Sequence, residues 1–234
     1  MKPLGIRCVQ DIIISLETGE MNLEYAISNQ KTIMQKVLQT FLMTLLLATL
    51  GIYAGNFVPP VLILPLIVVE LGMLIAAFWL RRKKAVSYTF IYIFAVISGI
   101  TTYPAVAYYA SIGGANIVLY AFTTTFVIFG VMALVGVKSK RDFSFLGGFL
   151  FVALIALIVT GLIGIFVPYS DATLLAFSGI GSIVFSLYIL YDFNQMARNH
   201  VTEEMIPLMA LNLYLDFINL FMNLLRFLGI MSKD

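Results

Sequence analysis

Residues Met205 to Ile230 read MIPLMALNLYLDFINLFMNLLRFLGI, an apolar stretch long enough to cross a bilayer as a helix. Five polar residues interrupt it at spacings of 4, 3, 4 and 3, which keeps them on one face of that helix. These residues, called the polar stripe below, are Asn212, Asp216, Asn219, Asn223 and Arg226. Because a carboxylate, a guanidinium and three amides are costly against lipid, the stripe is expected to face protein or water. It predicts a helix that lines a polar site inside a helical bundle.

The composition of the whole chain indicates a membrane protein. Hydrophobic residues make up 61% of it, the mean hydropathy is +1.00, and charged residues make up only 11%, against roughly 25% in soluble domains. The net charge of +2 comes from short basic runs at the borders of apolar stretches, so it does not indicate nucleic-acid binding. The single cysteine, Cys8, excludes an intrachain disulfide.

Breaks of proline, glycine and charge divide the chain into seven stretches of spanning length. They are Val37–Phe57, Val61–Leu80, Ala85–Tyr109, Ala115–Val137, Phe145–Phe166, Ala172–Met196 and Met205–Ile230. We predict an all-α membrane domain over residues 35–232, which we expect to be monomeric. Residues 1–34 are predicted to be a cytoplasmic tail without a signal-peptide pattern. Because Met21 offers a second plausible start, residues 1–20 are a candidate mis-assigned extension.

The basic residues predict the orientation of the spans. They cluster before span one and after spans two, four and six, whereas the loops after spans one, three and five hold no lysine or arginine. By the positive-inside rule, the N-terminus and every basic loop lie in the cytoplasm, and the C-terminus lies outside.

Three further ionisable residues lie in or at the end of the predicted spans: Glu70 in span two, Arg81 at its end, and Asp192 in span six. Depth along the spans places Arg81 level with Asp192 near the cytoplasmic side, and it places Glu70 and Arg226 toward the outer side. One predicted ion pair is therefore Arg81 with Asp192 or Asp216. The other is Glu70 with Arg226. On spacing alone, each pair is interpreted equally well as a structural salt bridge that joins helices.

The two aspartates allow a second arrangement. Two carboxylates that meet in a low-dielectric site do not both ionise cheaply, so Asp192 and Asp216 are candidates to share one proton and titrate as a unit. Either Arg81 or an external cation fits between them. With water, carbonyls and Asn212, the pair offers a weak calcium site, which is the kind of site that conduction needs.

Three segments also resemble a known family. The segment from Ala210 to Arg226, ALNLYLDFINLFMNLLR, resembles the C-terminal signature of the transmembrane Bax inhibitor motif family. The segment SLYILYD, ending at Asp192, resembles its companion in the sixth helix. The segment FWLRR, which contains Arg81 and follows a helix with Glu70, is similar to bacterial members in particular. The similarity covers about residues 30 to 232.

The resemblance implies a seven-helix fold whose last helix is central and wrapped by the other six. It implies a non-enzymatic, pH-sensitive leak of calcium across the membrane, with Asp192 and Asp216 as the pH sensor. Arg81 is then the gate that exchanges between the aspartates, and Glu70 with Arg226 forms a second latch. The last residues, Met-Ser-Lys-Asp, lack the lysine-rich tail of eukaryotic members, which favours a bacterial plasma membrane.

Two other functions use the same carboxylates. An intramembrane aspartyl protease has a similar layout, but Leu-Tyr-Leu precedes Asp216 where such enzymes carry a Gly-x-Gly-Asp pattern. A proton-coupled cation exchanger would use the same carboxylates as a leak. It differs because it moves protons in a fixed ratio against calcium, which a leak does not. A retinal photoreceptor is excluded because span seven holds no lysine for a Schiff base.

Overall fold

The computed structural model describes the backbone of residues 4–81, 86–199 and 201–232. Within these ranges it describes the side chains of residues 30–77, 79, 86–164, 166–199 and 201–232. The described chain is helical and contains no strand. Its helices are α1 (Leu4–Gly55), α2 (Pro60–Arg81), α3 (Tyr88–Gly113), α4 (Ala115–Lys138), α5 (Leu146–Phe166), α6 (Asp171–Arg198) and α7 (Ile206–Met231).

All seven helices contain a segment long and apolar enough to cross a membrane, which confirms the predicted number of spans. The largest difference from the predicted boundaries is in α1, which continues through residues expected to be a tail, since no proline interrupts it between Leu4 and Gly55. Pro60 takes the first position of α2, where its missing N–H costs nothing. Gly114 alone separates α3 from α4, and its φ of 77° is the conformation that glycine adopts freely.

The polar-striped helix α7 is the most completely buried span. In its most apolar window 56% of the residues are buried, against 39% in α6 and 6% in both α2 and α5. It packs closely against α1, α3, α4 and α6, whereas α2 packs mainly on α3 and α5 on α6. Four helices therefore form the close shell of α7. The predicted wrapping by all six is not confirmed, because α2 and α5 occupy outer positions.

Helices α1 and α3 cross at the distance of touching backbones. A Cβ atom on Gly51 would overlap the carbonyl oxygen of Val96, and one on Gly99 would overlap that of Ala48. Small residues permit such close crossings between membrane helices, where van der Waals packing replaces the hydrophobic effect. This crossing fixes α1 and α3 as one wall beside α7.

Contacts near the ends of the membrane spans define two faces of the bundle. Lys36 pairs with Glu203 before α7, and the Arg198 guanidinium donates to the Lys140 carbonyl after α4. We call this the basic face, because its residues include Lys36, Lys138, Lys140, Arg141 and Arg198. The ends of α1, α3 and α7 near Asn56, Gly113 and Ser232 lie at the opposite face.

Candidate functional site

Asp216 is buried in the middle of the bundle. The residue is 6% exposed, and its Oδ2 atom has no hydrogen-bond partner among the described residues. The residues that flank it on α7, Leu213, Phe217 and Leu220, are buried in the main core. Burying a carboxylate without full hydrogen bonding costs free energy, so this position contributes something other than stability.

Asp192 approaches Asp216 from α6. The two carboxylates are close enough for their charges to interact. Tyr188, one turn before Asp192, lies within electrostatic reach of both. Asp192 lies roughly 9 Å along the axis from the end of α6 at Arg198. The aspartate pair therefore lies nearer to the basic face than to the opposite face.

The predicted gate residue ends α2, but the side chain of Arg81 lies outside the part of the chain that the structure describes. Ala77, one turn earlier, is buried in the core that also contains Ile189 and Phe193 on either side of Asp192. The end of α2 is thus anchored in the same core as the aspartates. A gating role for Arg81 stays a prediction.

Three residues of the polar stripe line a cavity of about 730 Å³. Asn219, Asn223 and Arg226 form its wall on α7, and it is only partly enclosed. The other lining residues are Tyr109, Leu154, Leu157, Ile158, Thr160, Gly161, Gly164, Pro168, Tyr169, Leu174, Phe177, Phe185 and Met222. The cavity occupies the half of the bundle toward the opposite face, and it reaches within one helical turn of Asp216.

Two amide groups of the polar stripe donate hydrogen bonds within α7 itself. The Nδ2 group of Asn219 donates to the Leu215 carbonyl at 2.7 Å, and that of Asn223 donates to the Asn219 carbonyl at 2.8 Å. Both amides therefore satisfy a donor within their own helix. Asn212 is half-buried and does not line the cavity.

Glu70 makes a different contact from the one predicted. Its Oε2 atom accepts a hydrogen bond of 2.6 Å from the Thr101 hydroxyl of α3. Among the described residues the ion pair found is Lys36 with Glu203, and no ion pair joins Glu70 to Arg226. The physical reason is position: α2 packs mainly on α3, whereas Arg226 faces the cavity beside α5. A role for Glu70 and Arg226 as a latch stays a prediction.

Sequence reasoning missed Asn194, which lies two residues after Asp192. Its side chain is fully buried and donates to the carbonyls of Gly136 and Arg141, both at 3.1 Å, while its Oδ1 atom accepts from the Phe143 N–H at 3.0 Å. It thereby ties α6 to the connection between α4 and α5. An amide in an apolar helix is costly against lipid, and that signal was present in the sequence.

Tyr214 was also missed. Its ring is fully buried and meets Phe94 edge-on at 6.1 Å, and its hydroxyl has no hydrogen-bond partner of good geometry among the described residues. The hydroxyl lies near Ser98 and Glu70. In the sequence, a tyrosine among leucines does not indicate that its hydroxyl is buried.

The loop between α4 and α5 carries a further acidic group at the basic face. The Asp142 carboxylate accepts from the Ser144 N–H at 2.8 Å and from its hydroxyl at 2.6 Å. These bonds hold the pKa of Asp142 below its ordinary value. The group therefore stays ionised beside the lysines and arginines of this loop.

Comparison with known proteins identifies relatives of the chain. Residues 30–233 match the family model described as Inhibitor of apoptosis-promoting Bax1. The chain is 39% identical over 148 residues to Bax inhibitor 1 of Schizosaccharomyces pombe, covering 63% of this chain and 54% of that protein. It thus spans about half the length of that yeast relative.

Two other relatives match over more of their length. An uncharacterized protein of Campylobacter jejuni is 34% identical over 198 residues, covering 81% of this chain and 84% of that protein. The Golgi anti-apoptotic protein of vaccinia virus (strain Lister) is 36% identical over 174 residues, covering 74% and 71%.

Proposed function

Because the chain belongs to the Bax inhibitor family of membrane proteins, we propose that it is a pH-sensitive calcium leak channel. In this proposal Asp192 and Asp216 share a proton and sense pH, and Arg81 gates the basic face. The observation that carries the proposal is the burial of Asp216 beside Asp192 with one carboxylate oxygen unpartnered among the described residues.

The physics of the pair supports a pH response. Two carboxylates in a low-dielectric site share a proton, and the charge of the pair depends on pH. When both are ionised, the pair attracts a cation, which is either the Arg81 guanidinium or a calcium ion. When one is protonated, its hold on Arg81 weakens, α2 shifts, and the width of the pathway at the basic face changes. The proposed calcium site is a pair of carboxylates, since the described chain contains no cluster of three or more His, Cys, Asp or Glu side chains that could hold a metal ion.

The aspartate pair offers few oxygen ligands to a calcium ion. Weak oxygen ligands that are few in number suit conduction, because a permeant ion must also leave.

The orientation and location of the protein are part of the proposal. The basic face is assigned to the cytoplasm by its lysines and arginines, which puts the N-terminus inside and the C-terminus outside. The similar bacterial proteins, including that of Campylobacter jejuni, favour the plasma membrane of a bacterium. The apoptotic roles named for the yeast and viral relatives are not carried over.

The proposal is tested by calcium efflux from proteoliposomes at a series of pH values between about pH 6 and about pH 8, because the charge of a carboxylate pair depends on pH. We expect wild-type flux to depend on pH, and flux through Asp216→Asn to lose that dependence. Glu204→Gln is the matched control, because it neutralises an exposed acid outside the site and should leave the profile unchanged.

Proton movement recorded in the same vesicles separates a leak from an exchanger. A fixed ratio of protons moved against calcium would assign exchange instead of leak. No calcium flux at any pH would reject both transport functions.

A further inference from the structure

The cavity beside α7 has a charge that does not match a calcium vestibule. Arg226 is the one charged residue among the described residues that line it. Asn219, Asn223 and three hydroxyl-bearing residues complete its polar surface, and the remaining lining is apolar or glycine. A site with one positive charge and no carboxylate is complementary to an anion.

Arg226 needs a counter-charge from outside the described protein. In the described chain no carboxylate lies within ion-pairing distance of its guanidinium, and Glu70 is bonded to Thr101 instead. Arg226 lies within α7, about 8 Å from the end of the helix at Met231. An arginine at such depth is costly unless an anion or water compensates it.

The wall across from α7 is apolar and borders the lipid. It is formed by α5, mainly by Leu154, Leu157, Ile158 and Gly161. Only 6% of the most apolar window of α5 is buried, and among the described helices α5 packs mainly on α6. The cavity therefore has a cationic end on α7 and an apolar side next to the acyl chains of the bilayer.

We propose that this cavity binds an anionic phospholipid from the surrounding membrane. Its phosphate sits on the Arg226 guanidinium, which presents a fork of N–H donors suited to phosphate oxygens. The amides of Asn219 and Asn223 border the headgroup, and one acyl chain lies along α5. The volume of about 730 Å³ lies within the range of roughly 300–1,000 Å³ of ligand pockets. This site is independent of the calcium pathway proposed above.

The experiment measures lipid retention directly. The full chain is reconstituted in nanodiscs of phosphatidylcholine and phosphatidylglycerol, released, and examined by native mass spectrometry for bound lipid. We expect wild type to retain phosphatidylglycerol in preference to phosphatidylcholine. Arg226→Gln should lower that retention roughly tenfold, the effect of losing one charge-assisted contact. Arg141→Gln removes a charge of the same kind from an exposed loop and should match wild type.

A second pair of variants tests the acyl-chain part of the site without touching the charge. Gly161 lines the cavity, and a Cβ atom there would meet no atom within 4 Å, so we expect the leucine of Gly161→Leu to take up part of the acyl-chain space. Gly148→Leu is the control on the same helix, since its surroundings are equally open and it does not line the cavity. We expect Gly161→Leu to lose phosphatidylglycerol and Gly148→Leu to keep it.

Three outcomes would overturn the proposal. One is equal retention of the anionic lipid by wild type and Arg226→Gln. Another is retention of phosphatidylcholine as strong as that of phosphatidylglycerol. The third is displacement of the lipid by inorganic phosphate together with normal retention in Gly161→Leu, which would assign a site for free anions rather than for a lipid.

Discussion

Asp216 is held by the packing of its neighbours on α7 rather than by a complete set of hydrogen bonds. Its Oδ2 atom has no partner among the described residues, although the residue is only 6% exposed. Functional sites often retain groups that lower the stability of the fold. A group that must change its charge or its partner cannot have all of its hydrogen bonds in every state. The stability of variants at this position therefore tests its environment independently of transport.

We predict that Asp216→Asn raises the free energy of unfolding by about 1–3 kcal/mol, because a neutral amide of the same shape costs less to bury than an incompletely bonded carboxylate. Thermal unfolding in detergent measures the change, and the exposed-site variant Glu204→Gln should stay within about 0.5 kcal/mol of wild type. A lower midpoint for Asp216→Asn would mean that the carboxylate has a stabilising partner.

We predict that Thr101→Val lowers the free energy of unfolding by about 1–3 kcal/mol, because the partly buried Glu70 carboxylate loses its donor. Thr49→Val is the matched control, since that hydroxyl is exposed and, in the described part of the chain, bonds the Leu45 carbonyl of its own helix. The loss should shrink when Glu70→Gln is already present, as a double-mutant cycle measures. Equal losses in both backgrounds would show that the Thr101–Glu70 bond contributes nothing.

At the scale of the helices, the close crossing of α1 and α3 depends on glycines that have no side chain at the contact. We predict that Gly99→Ala destabilises the bundle by about 1–3 kcal/mol or more, because the new methyl group overlaps the Ala48 backbone and forces the helices apart. Gly130→Ala on α4 meets no atom within 4 Å and should be neutral or stabilise by about 0.5–1 kcal/mol through helix propensity. Chemical denaturation in micelles compares the two variants, and equal effects would contradict the close crossing.

The connection between α4 and α5 depends on one side chain of α6. We predict that Asn194→Ala costs about 3 kcal/mol, because three hydrogen bonds of about 1 kcal/mol each are lost. Hydrogen exchange over residues 139–145 should accelerate in the same variant. Asn199→Ala is the control, because its side chain is exposed and, among the described residues, bonds to Gln195. Unchanged exchange would show that the loop is held by other contacts.

For the whole molecule, periodicity and charge were enough to predict the spans and the polar face of α7. The spacing of Asn219, Asn223 and Arg226 placed them on one face because helical periodicity does not depend on the rest of the fold. The pairing of Asp192 with Asp216 was one of two arrangements that the residues allowed, and the family resemblance implied it. The spans and the polar face of α7 each depend on the residues of a single helix, and the aspartate pair depends on two.

Features that depend on how helices meet were not predictable in the same way. The spacing of Gly51 and Gly55 indicates close packing, but it does not say that α3 is the partner. The contact of Glu70 with Thr101 follows from the outer position of α2, which no pattern within α2 specifies. The cavity arises because α5 packs on α6 and leaves space beside α7, so only the assembled bundle shows it.

The orientation of the whole bundle decides which compartment the aspartate pair senses. In a Cys8→Ser background, we predict that a membrane-impermeant maleimide applied to intact cells labels Phe57→Cys and labels Lys140→Cys only after permeabilisation. Both positions are exposed, but they follow α1 and α4 at opposite faces, so they respond to different compartments. The physical reason is that lysines and arginines are retained on the cytoplasmic side during insertion.

The reverse labelling pattern would place the basic face outside. Since Asp192 lies roughly 9 Å from the end of α6 at that face, the pair would then be nearer to external protons. With the predicted pattern it is nearer to the cytoplasm, and acidification inside vesicles of known orientation should change calcium flux more than the same change outside.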